Sequence, residues 1–255
     1  MTYADVNEVS LWFEEHGEGA PLVLLHGGFW SIPVFGELLP ALAGRRKVVA
    51  VELQGHGHTA DVQRLLAYET LADDVAGLIR ARYHAPVDVM GYSLGAGTAT
   101  RVAIQHPELV RNLVVVSTVA RSAGWYPEVR EGMAQLDAEA MRQSPLYQQY
   151  KSVAPRPEDW PVLVGKMGEL LRRDYDWSRE IAGIRARTML VFADADSMPV
   201  THIAEFYGLL GGGQRDARWD GALRPAARLA VLPGRTHYDV MADPQLPALV
   251  DGFLN

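Results

Sequence analysis

The sequence predicts an α/β protein with a mostly parallel central sheet flanked by helices, and with a helical segment inserted after the sixth strand. Short apolar runs alternate with segments whose apolar residues recur at helical spacing. The runs are continuously apolar, which indicates strands that helices cover on both faces. The alternation stops at Ala120 and resumes near Thr188, and this interruption locates the inserted segment.

Length, charge and composition exclude several classes of protein. The chain of 255 residues can bury one core and carry a small appended module. Its net charge is −7 and its longest basic cluster is Arg45-Arg46-Lys47, so neither nucleic acid nor a membrane surface is an expected partner. Cysteine is absent, which excludes disulfides and a cysteine nucleophile. The N-terminus does not resemble a signal peptide. We therefore expect a cytoplasmic protein, monomeric or homodimeric, that acts on a small molecule.

The strands and helices are predicted from these patterns in chain order. A hairpin or edge strand is expected within 6–15, followed by strands at Pro21–Leu25, Lys47–Glu52, Pro86–Met90 and Leu113–Thr118. Helices are expected over 33–43, 68–83 and 94–105. Strands Thr188–Ala193 and Arg228–Leu232, with helices over 199–210 and 244–254, complete the pattern. The predicted division is a core of 1–120 and 184–255 with a helical insertion of 121–183.

A sharp turn joins the strand at 86–90 to the helix that follows it. The turn contains Gly91-Tyr92-Ser93-Leu94-Gly95, a G-x-S-x-G pattern. Alone the pattern is weakly specific, but a strand before it and a helix after it are the setting of a nucleophile elbow. Ser93 would project from the turn at the helix N-terminus, where the helix dipole favours developing negative charge.

Four predicted strand ends carry residues that could act together. Ligands of parallel sheets bind beyond the carboxyl ends of the strands, and these ends hold His26-Gly27-Gly28, Ser93, Asp196 and His237. A serine is a poor nucleophile until a base removes its proton, and His237 is the best candidate base. Asp196 could orient the imidazole and stabilise its cation. Spacing alone leaves Asp194 open as an alternative acid.

An attacked carbonyl develops an oxyanion that needs hydrogen-bond donors already in place. One expected donor is the backbone N–H of Leu94. The other is expected from the first glycine loop, at Gly28, with Phe29 as second choice, because glycine lets the backbone approach a substrate closely. We expect Phe29, Tyr92 and Trp125 to contact the substrate.

These motifs resemble those of α/β-hydrolase-fold enzymes of the serine type. The matching segments are His26-Gly27-Gly28, Gly55-His56-Gly57, Gly91–Gly95, Ala193–Asp196 and Gly234–His237. The resemblance implies the catalytic triad Ser93, Asp196 and His237, and it implies that the 121–183 insertion is a cap. It also favours Asp196 over Asp194, because the acid usually closes a G-x-x-D pattern in this family. Here Ala193 stands in place of the glycine, which is a mild departure.

Hydrolysis of a carboxylic ester of a small or medium uncharged substrate, through an acyl-enzyme, is the leading functional hypothesis. The same residues would also suit carbon–carbon bond cleavage in a ketone, or peracid formation, and the motifs do not separate these reactions. Epoxide and haloalkane hydrolysis are disfavoured, because those relatives attack with aspartate. A small-molecule receptor with slow or no turnover is an alternative from another class.

The remaining histidines are expected to be structural. His56 and His58 are predicted to pack within their loop, and His26 is predicted to support its own loop, with an indirect role beside Gly28 left open. His202 is expected to be an ordinary surface or helix-end residue. Without cysteine and without an H-x-x-x-H spacing, no metal site is expected. No nucleotide fingerprint occurs, so no cofactor is expected.

Overall fold

Residues 2–255, which the computed structural model describes, form an eight-stranded sheet in the order β1-β2-β4-β3-β5-β6-β7-β8. The strands are β1 Thr2–Val6, β2 Val9–His16, β3 Pro21–Leu25, β4 Lys47–Val51, β5 Val87–Tyr92, β6 Val110–Val116, β7 Arg187–Ala195 and β8 Arg228–Thr236. The β1–β2 and β2–β4 pairs are antiparallel, and all other pairs are parallel. The predicted mostly parallel sheet is confirmed.

Helices cover both faces of this sheet. They are α1 Leu38–Ala43, α2 Tyr68–Arg82, α3 Leu94–Gln105, α4 Pro127–Ala134, α5 Pro145–Val153, α6 Trp160–Arg172, α7 Ser178–Ile181, α8 Val200–Leu209 and α9 Leu246–Leu254. Along β3, Val23 and Leu25 pack into one core, while Leu22 and Leu24 pack into the other. Two buried faces explain the continuously apolar runs of the sequence. None of the helices within residues 2–255 is long and apolar enough to cross a membrane.

The segment 33–43, predicted as one helix, is divided in the structure. Ile32–Phe35 forms a short 3-10 helix, and α1 begins only at Leu38. Gly36 lies between them with φ 43°, a left-handed conformation that interrupts an α-helix. A Cβ atom at Gly36 would have no other atom within 4 Å, so space does not require glycine here. The positive φ angle of the backbone does. The single-helix prediction was therefore wrong at this glycine.

Helices α4 to α7 lie between β6 and β7, and the two ends of this helical segment are joined to each other. The N–H of Ser122 donates to the carbonyl of Tyr175 at 3.0 Å, and the N–H of Trp177 donates to the carbonyl of Ala120 at 3.0 Å. The chain therefore leaves and re-enters the α/β core at one place. Within the segment, Trp160 is fully buried and forms a local apolar centre.

His202 lies in the first turn of α8, near a helix end as predicted, but it is buried and not on the surface. Its Nε2 accepts a hydrogen bond from the N–H of Ala120 at 3.1 Å, at the junction between core and helical segment. A Cβ atom at Gly124 would lie 2.4 Å from this Nε2, so the ring approaches only because residue 124 is glycine. The helical pattern of α8 did not reveal this burial, because it results from a distant part of the chain.

Candidate active site

Ser93 occupies a strained turn between β5 and α3. Its backbone has φ 52° and ψ −112°, a conformation rare for a non-glycine residue. A Cβ atom at Gly91 would lie 2.0 Å from the carbonyl oxygen of Gly95, and one at Gly95 would lie 2.3 Å from that of Leu25. A side chain at either position would clash with the backbone of the turn. Steric exclusion therefore explains why both positions of the G-x-S-x-G pattern are glycine.

A continuous chain of hydrogen bonds runs from Ser93 to a buried carboxylate. The Oγ of Ser93 lies 3.1 Å from Nε2 of His237, and Nδ1 of His237 lies 2.8 Å from Oδ1 of Asp196. The carboxylate is an acceptor, so Nδ1 carries the proton and Nε2 is free to accept from Ser93. Burial would raise the pKa of Asp196, but hydrogen bonds from His237, Ser117 and Ser197 outweigh it and lower the pKa. The carboxyl group is therefore ionised at neutral pH.

Asp194 and Asp196 differ in their surroundings although only one residue separates them. Residues two apart in a regular strand point to the same face. Here the pairing of β7 with β8 shifts register between Ala193 and Ala195, and this irregularity changes the direction of the following side chains. Asp196 is buried against His237, whereas Asp194 is exposed and accepts from the N–H of Arg235 at 3.2 Å.

A tight turn at Gly27–Trp30 lies opposite the start of α3. The N–H of Trp30 donates to the carbonyl of Gly27 at 3.2 Å, and Phe29 has φ 63°, where a turn ordinarily has glycine or asparagine. A Cβ atom at Gly28 would lie 2.7 Å from Cε of Met167 on α6. The strained Phe29 and the close approach at Gly28 are typical of a backbone positioned for contact with a ligand.

Leu94 is the first residue of α3, so its N–H has no carbonyl to bind within the helix. It borders the same cavity as Gly28 and Ser93. The structure thus brings both predicted oxyanion donors to one cavity wall beside the Ser93 hydroxyl.

His26 and His56 bind backbone groups of neighbouring loops. Nδ1 of His26 donates to the carbonyl of Gly27 at 2.8 Å, and its Nε2 accepts from the N–H of Leu53 at 3.0 Å. Nδ1 of His56 donates to the carbonyl of Gln54 at 2.9 Å. Both histidines pack within loops, as predicted. Across the described part of the chain, 2–255, no group of three or more histidine or acidic side chains could hold a metal ion.

A cavity of about 360 Å³ adjoins Ser93 and His237. The sheet side of its wall contains Phe29 and Tyr92, and Trp125 also borders it, so the three predicted substrate contacts all line it. Trp30, Tyr68 and Tyr238 also border it. The helical segment supplies eight further lining residues, namely Met133, Leu136, Met141, Ser144, Pro145, Leu146, Met167 and Leu171. None of the lining residues that fall within 2–255 is Arg, Lys, Asp or Glu.

Residues 22–247 of the sequence match a family model described as the alpha/beta hydrolase family. The chain belongs to this family.

Two relatives of this alpha/beta hydrolase share part of its sequence. A 2-(acetamidomethylene)succinate hydrolase of Mesorhizobium japonicum is 30% identical over 149 residues, covering 58% of this chain and 51% of the relative. A pimeloyl-[acyl-carrier protein] methyl ester esterase of Aeromonas hydrophila is 33% identical over 145 residues, covering 53% and 55% of the two chains. The matched part spans about half the length of these relatives.

Solved structures share the fold along nearly the whole chain. A thermophilic esterase from Thermogutta terrifontis superposes with a TM-score of 0.73 at 18% identity, covering 99% of this chain and 96% of its own. This likeness confirms the alpha/beta hydrolase fold.

Two contacts in the site of this alpha/beta hydrolase were not predicted from sequence. Ser117, at the carboxyl end of β6, donates from its Oγ to Oδ2 of Asp196 at 2.6 Å. The hydroxyl of Tyr92, predicted only as a substrate contact, donates to the carbonyl of His237 at 2.7 Å. A signal existed for Ser117, because it is a polar residue at a strand end like the other candidates. The hydroxyl contact of Tyr92 left no sequence signal.

Proposed function

We propose that this chain is a serine hydrolase that cleaves carboxylic esters through an acyl-enzyme intermediate. The observation that carries the proposal is the hydrogen-bond chain from Ser93 through His237 to Asp196, beside a cavity large enough for a substrate. A serine, a base that contacts it and an acid that orients the base are the elements of nucleophilic acyl transfer.

In the proposed reaction, Ser93 Oγ attacks the ester carbonyl as its proton passes to Nε2 of His237. Asp196 stabilises the resulting imidazolium through Nδ1. The N–H groups of Leu94 and Gly28, with Phe29 as the alternative second donor, bind the oxyanion. His237 then protonates the departing alcohol. A water molecule, deprotonated by His237, hydrolyses the acyl-enzyme and releases the acid.

The cavity supports an uncharged acyl group of small or medium size. Its described lining is without charged side chains, and burying an unpaired charge there would cost several kcal/mol. Its volume of about 360 Å³ is at the lower end of the range for small-molecule sites. We propose that 121–183 acts as a cap, because its side chains form much of the cavity wall. The relative named as a methyl ester esterase agrees with ester chemistry.

Hydrolysis of p-nitrophenyl esters, from acetate to decanoate, tests the proposal with wild type and Ser93→Ala. We expect the variant to lose on the order of 10⁶ in kcat, as for a removed triad nucleophile. Ser152→Ala is the matched control, because Ser152 is exposed on α5 and its hydroxyl only binds the carbonyl of Gln149 at 2.7 Å. Wild-type rates in Ser93→Ala would exclude Ser93 as nucleophile.

Inactivity of wild type toward every ester would overturn ester hydrolysis. The same proteins would then be assayed with 1,3-diketones, whose cleavage would indicate a carbon–carbon bond hydrolase. A ligand that raises the melting temperature without turnover would instead indicate a receptor.

A further inference from the structure

Three polar side chains lie near one part of the cavity, whose lining is largely apolar. Tyr68 and Trp125 line the cavity, and Tyr175 packs behind them with its ring centroid 5.6 Å from that of Tyr68. The Tyr175 hydroxyl does not line the cavity itself. It is buried without a hydrogen bond of ordinary geometry to any of residues 2–255.

The donors and acceptors of this cluster do not balance. An indole N–H only donates, and each phenol has one hydrogen to donate. The three groups together hold three hydrogens, yet they can form at most two hydrogen bonds among themselves, because the indole cannot accept. At least one hydrogen is therefore left over, and Tyr68 is the phenol of the pair that lines the cavity, where a ligand can accept it. Burial raises the pKa of Tyr68 to about 12, so the phenol keeps this hydrogen.

The ring of Tyr68 packs against α3 about one helical turn from Ser93. A Cβ atom at Gly97 would lie 2.4 Å from Cε1 of Tyr68, so the ring lies directly against α3 at that glycine. The N–H of Gly97 donates to the carbonyl of Ser93 at 3.0 Å, one helical turn from the nucleophile. One turn is a rise of about 5.4 Å, which corresponds to several carbons of an extended chain.

We propose that Tyr68, supported by Trp125 and Tyr175, recognises a hydrogen-bond acceptor within the acyl chain, several carbons from the scissile carbonyl. The preferred substrate is accordingly an ester of an oxygenated acid, with a keto, ether or amide oxygen in the chain, and not of a plain alkanoic acid. A plain chain would bury the donor unpaired, and sites built around a hydrogen bond discriminate against ligands that lack its partner. The inference rests on the proposed function, which assigns this cavity to the acyl group.

The test compares p-nitrophenyl octanoate with the p-nitrophenyl esters of 4-, 5-, 6- and 7-oxooctanoic acid, corrected for spontaneous hydrolysis. We expect wild type to have a higher kcat/KM for at least one oxo ester than for octanoate. In Tyr68→Phe the ratio should fall about 2- to 10-fold, the usual effect of one neutral hydrogen bond. The ratio of the two rates is the readout, because octanoate makes no use of the hydroxyl and both esters share any general change in the site.

Tyr83→Phe is the matched control. Tyr83 follows the other end of the same helix α2. Its hydroxyl is buried without a hydrogen-bond partner among the described residues, and it does not line the cavity. We expect this variant to keep the wild-type ratio. A ratio that falls equally in both variants would show a general loss of packing and would overturn the inference.

Two results would count against the inference while leaving ester hydrolysis intact. Wild type could favour octanoate over every oxo ester, or its preference for an oxo ester could survive in Tyr68→Phe. If no ester is turned over, the proposed function fails separately. Calorimetric binding of the same esters to Ser93→Ala, with and without Tyr68→Phe, then decides the inference, and equal Kd values would overturn it.

Discussion

His237 and the pair His26 and His56 follow strands of the same sheet, yet their surroundings differ. His237 contacts a hydroxyl on one side and a buried carboxylate on the other, and it borders the cavity. His26 and His56 are buried with ring centroids 5.1 Å apart, and their Nδ1 atoms donate to backbone carbonyls.

All three side chains are histidines, so their hydrogen-bond partners and their burial determine whether each imidazole can accept a proton. Burial, and secondarily the neighbouring His56, lower the pKa of His26 to about 3. Burial lowers the pKa of His56 to about 4, against the opposing effect of its backbone hydrogen bonds. Neither ring can accept a proton near neutral pH. Asp196 contacts His237 and can stabilise its imidazolium form, so His237 is suited to accept a proton from Ser93.

The largest expected difference is in turnover. His237→Ala should lose on the order of 10⁶ in kcat, because the substitution removes the proposed general base and members of a triad act as a unit. His56→Asn, whose amide can still donate to the Gln54 carbonyl, should change kcat less than about tenfold, since His56 is not predicted to transfer a proton. Steady-state hydrolysis of a p-nitrophenyl ester measures both. Comparable losses in the two variants would remove the distinction between the histidines.

A smaller effect is expected from the two neighbouring acids. Asp196→Asn should lower kcat by about 10⁴, because an amide in that place holds the imidazole in the wrong tautomer. Asp194→Asn is the matched control, since Asp194 is exposed and accepts a hydrogen bond from the backbone N–H of Arg235 in β8. The same ester assay checks both variants. A larger loss in Asp194→Asn would assign the acid to Asp194.

The smallest effect is on stability and concerns the buried pair. Below the ordinary histidine pKa of about 6.5 the unfolded chain takes up protons, whereas folded His26 and His56 stay neutral. The free energy of unfolding therefore decreases as pH falls, by about 1.4 kcal/mol per pH unit for each histidine. Between pH 7.5 and 5.0 the pair should cost about 4 kcal/mol, with almost no contribution above pH 7.5.

Urea unfolding at pH 7.5 and 5.0 measures this dependence. His56→Asn should remove about half of the contribution from the pair, because one titrating ring remains. His84→Asn serves as control, since His84 is exposed and should leave the dependence unchanged. An identical pH dependence in wild type and His56→Asn would contradict the expected burial effect.

Most of the sheet could be predicted from sequence, because its signals are local. Continuous apolar runs, helical periodicity and the sterics of Gly91 and Gly95 depend on residues close in the chain. The prediction failed at Gly36, because an isolated glycine in a helical pattern does not reveal its φ angle. It failed at His202, because a polar residue is buried only when a distant segment packs on it.

The sequence by itself determined which residues follow the strands of the sheet, and so which side chains could meet Ser93. The tertiary structure decided which of them do. The residues that contact His237 are 41 and 144 positions away in the chain, so sheet order and the register shift in β7 select Asp196 over Asp194. The surplus donor of Tyr68 likewise arises only where α2, α3 and the helical segment pack together. Backbone preferences act over a few residues, whereas a site depends on distances that only the packed fold establishes.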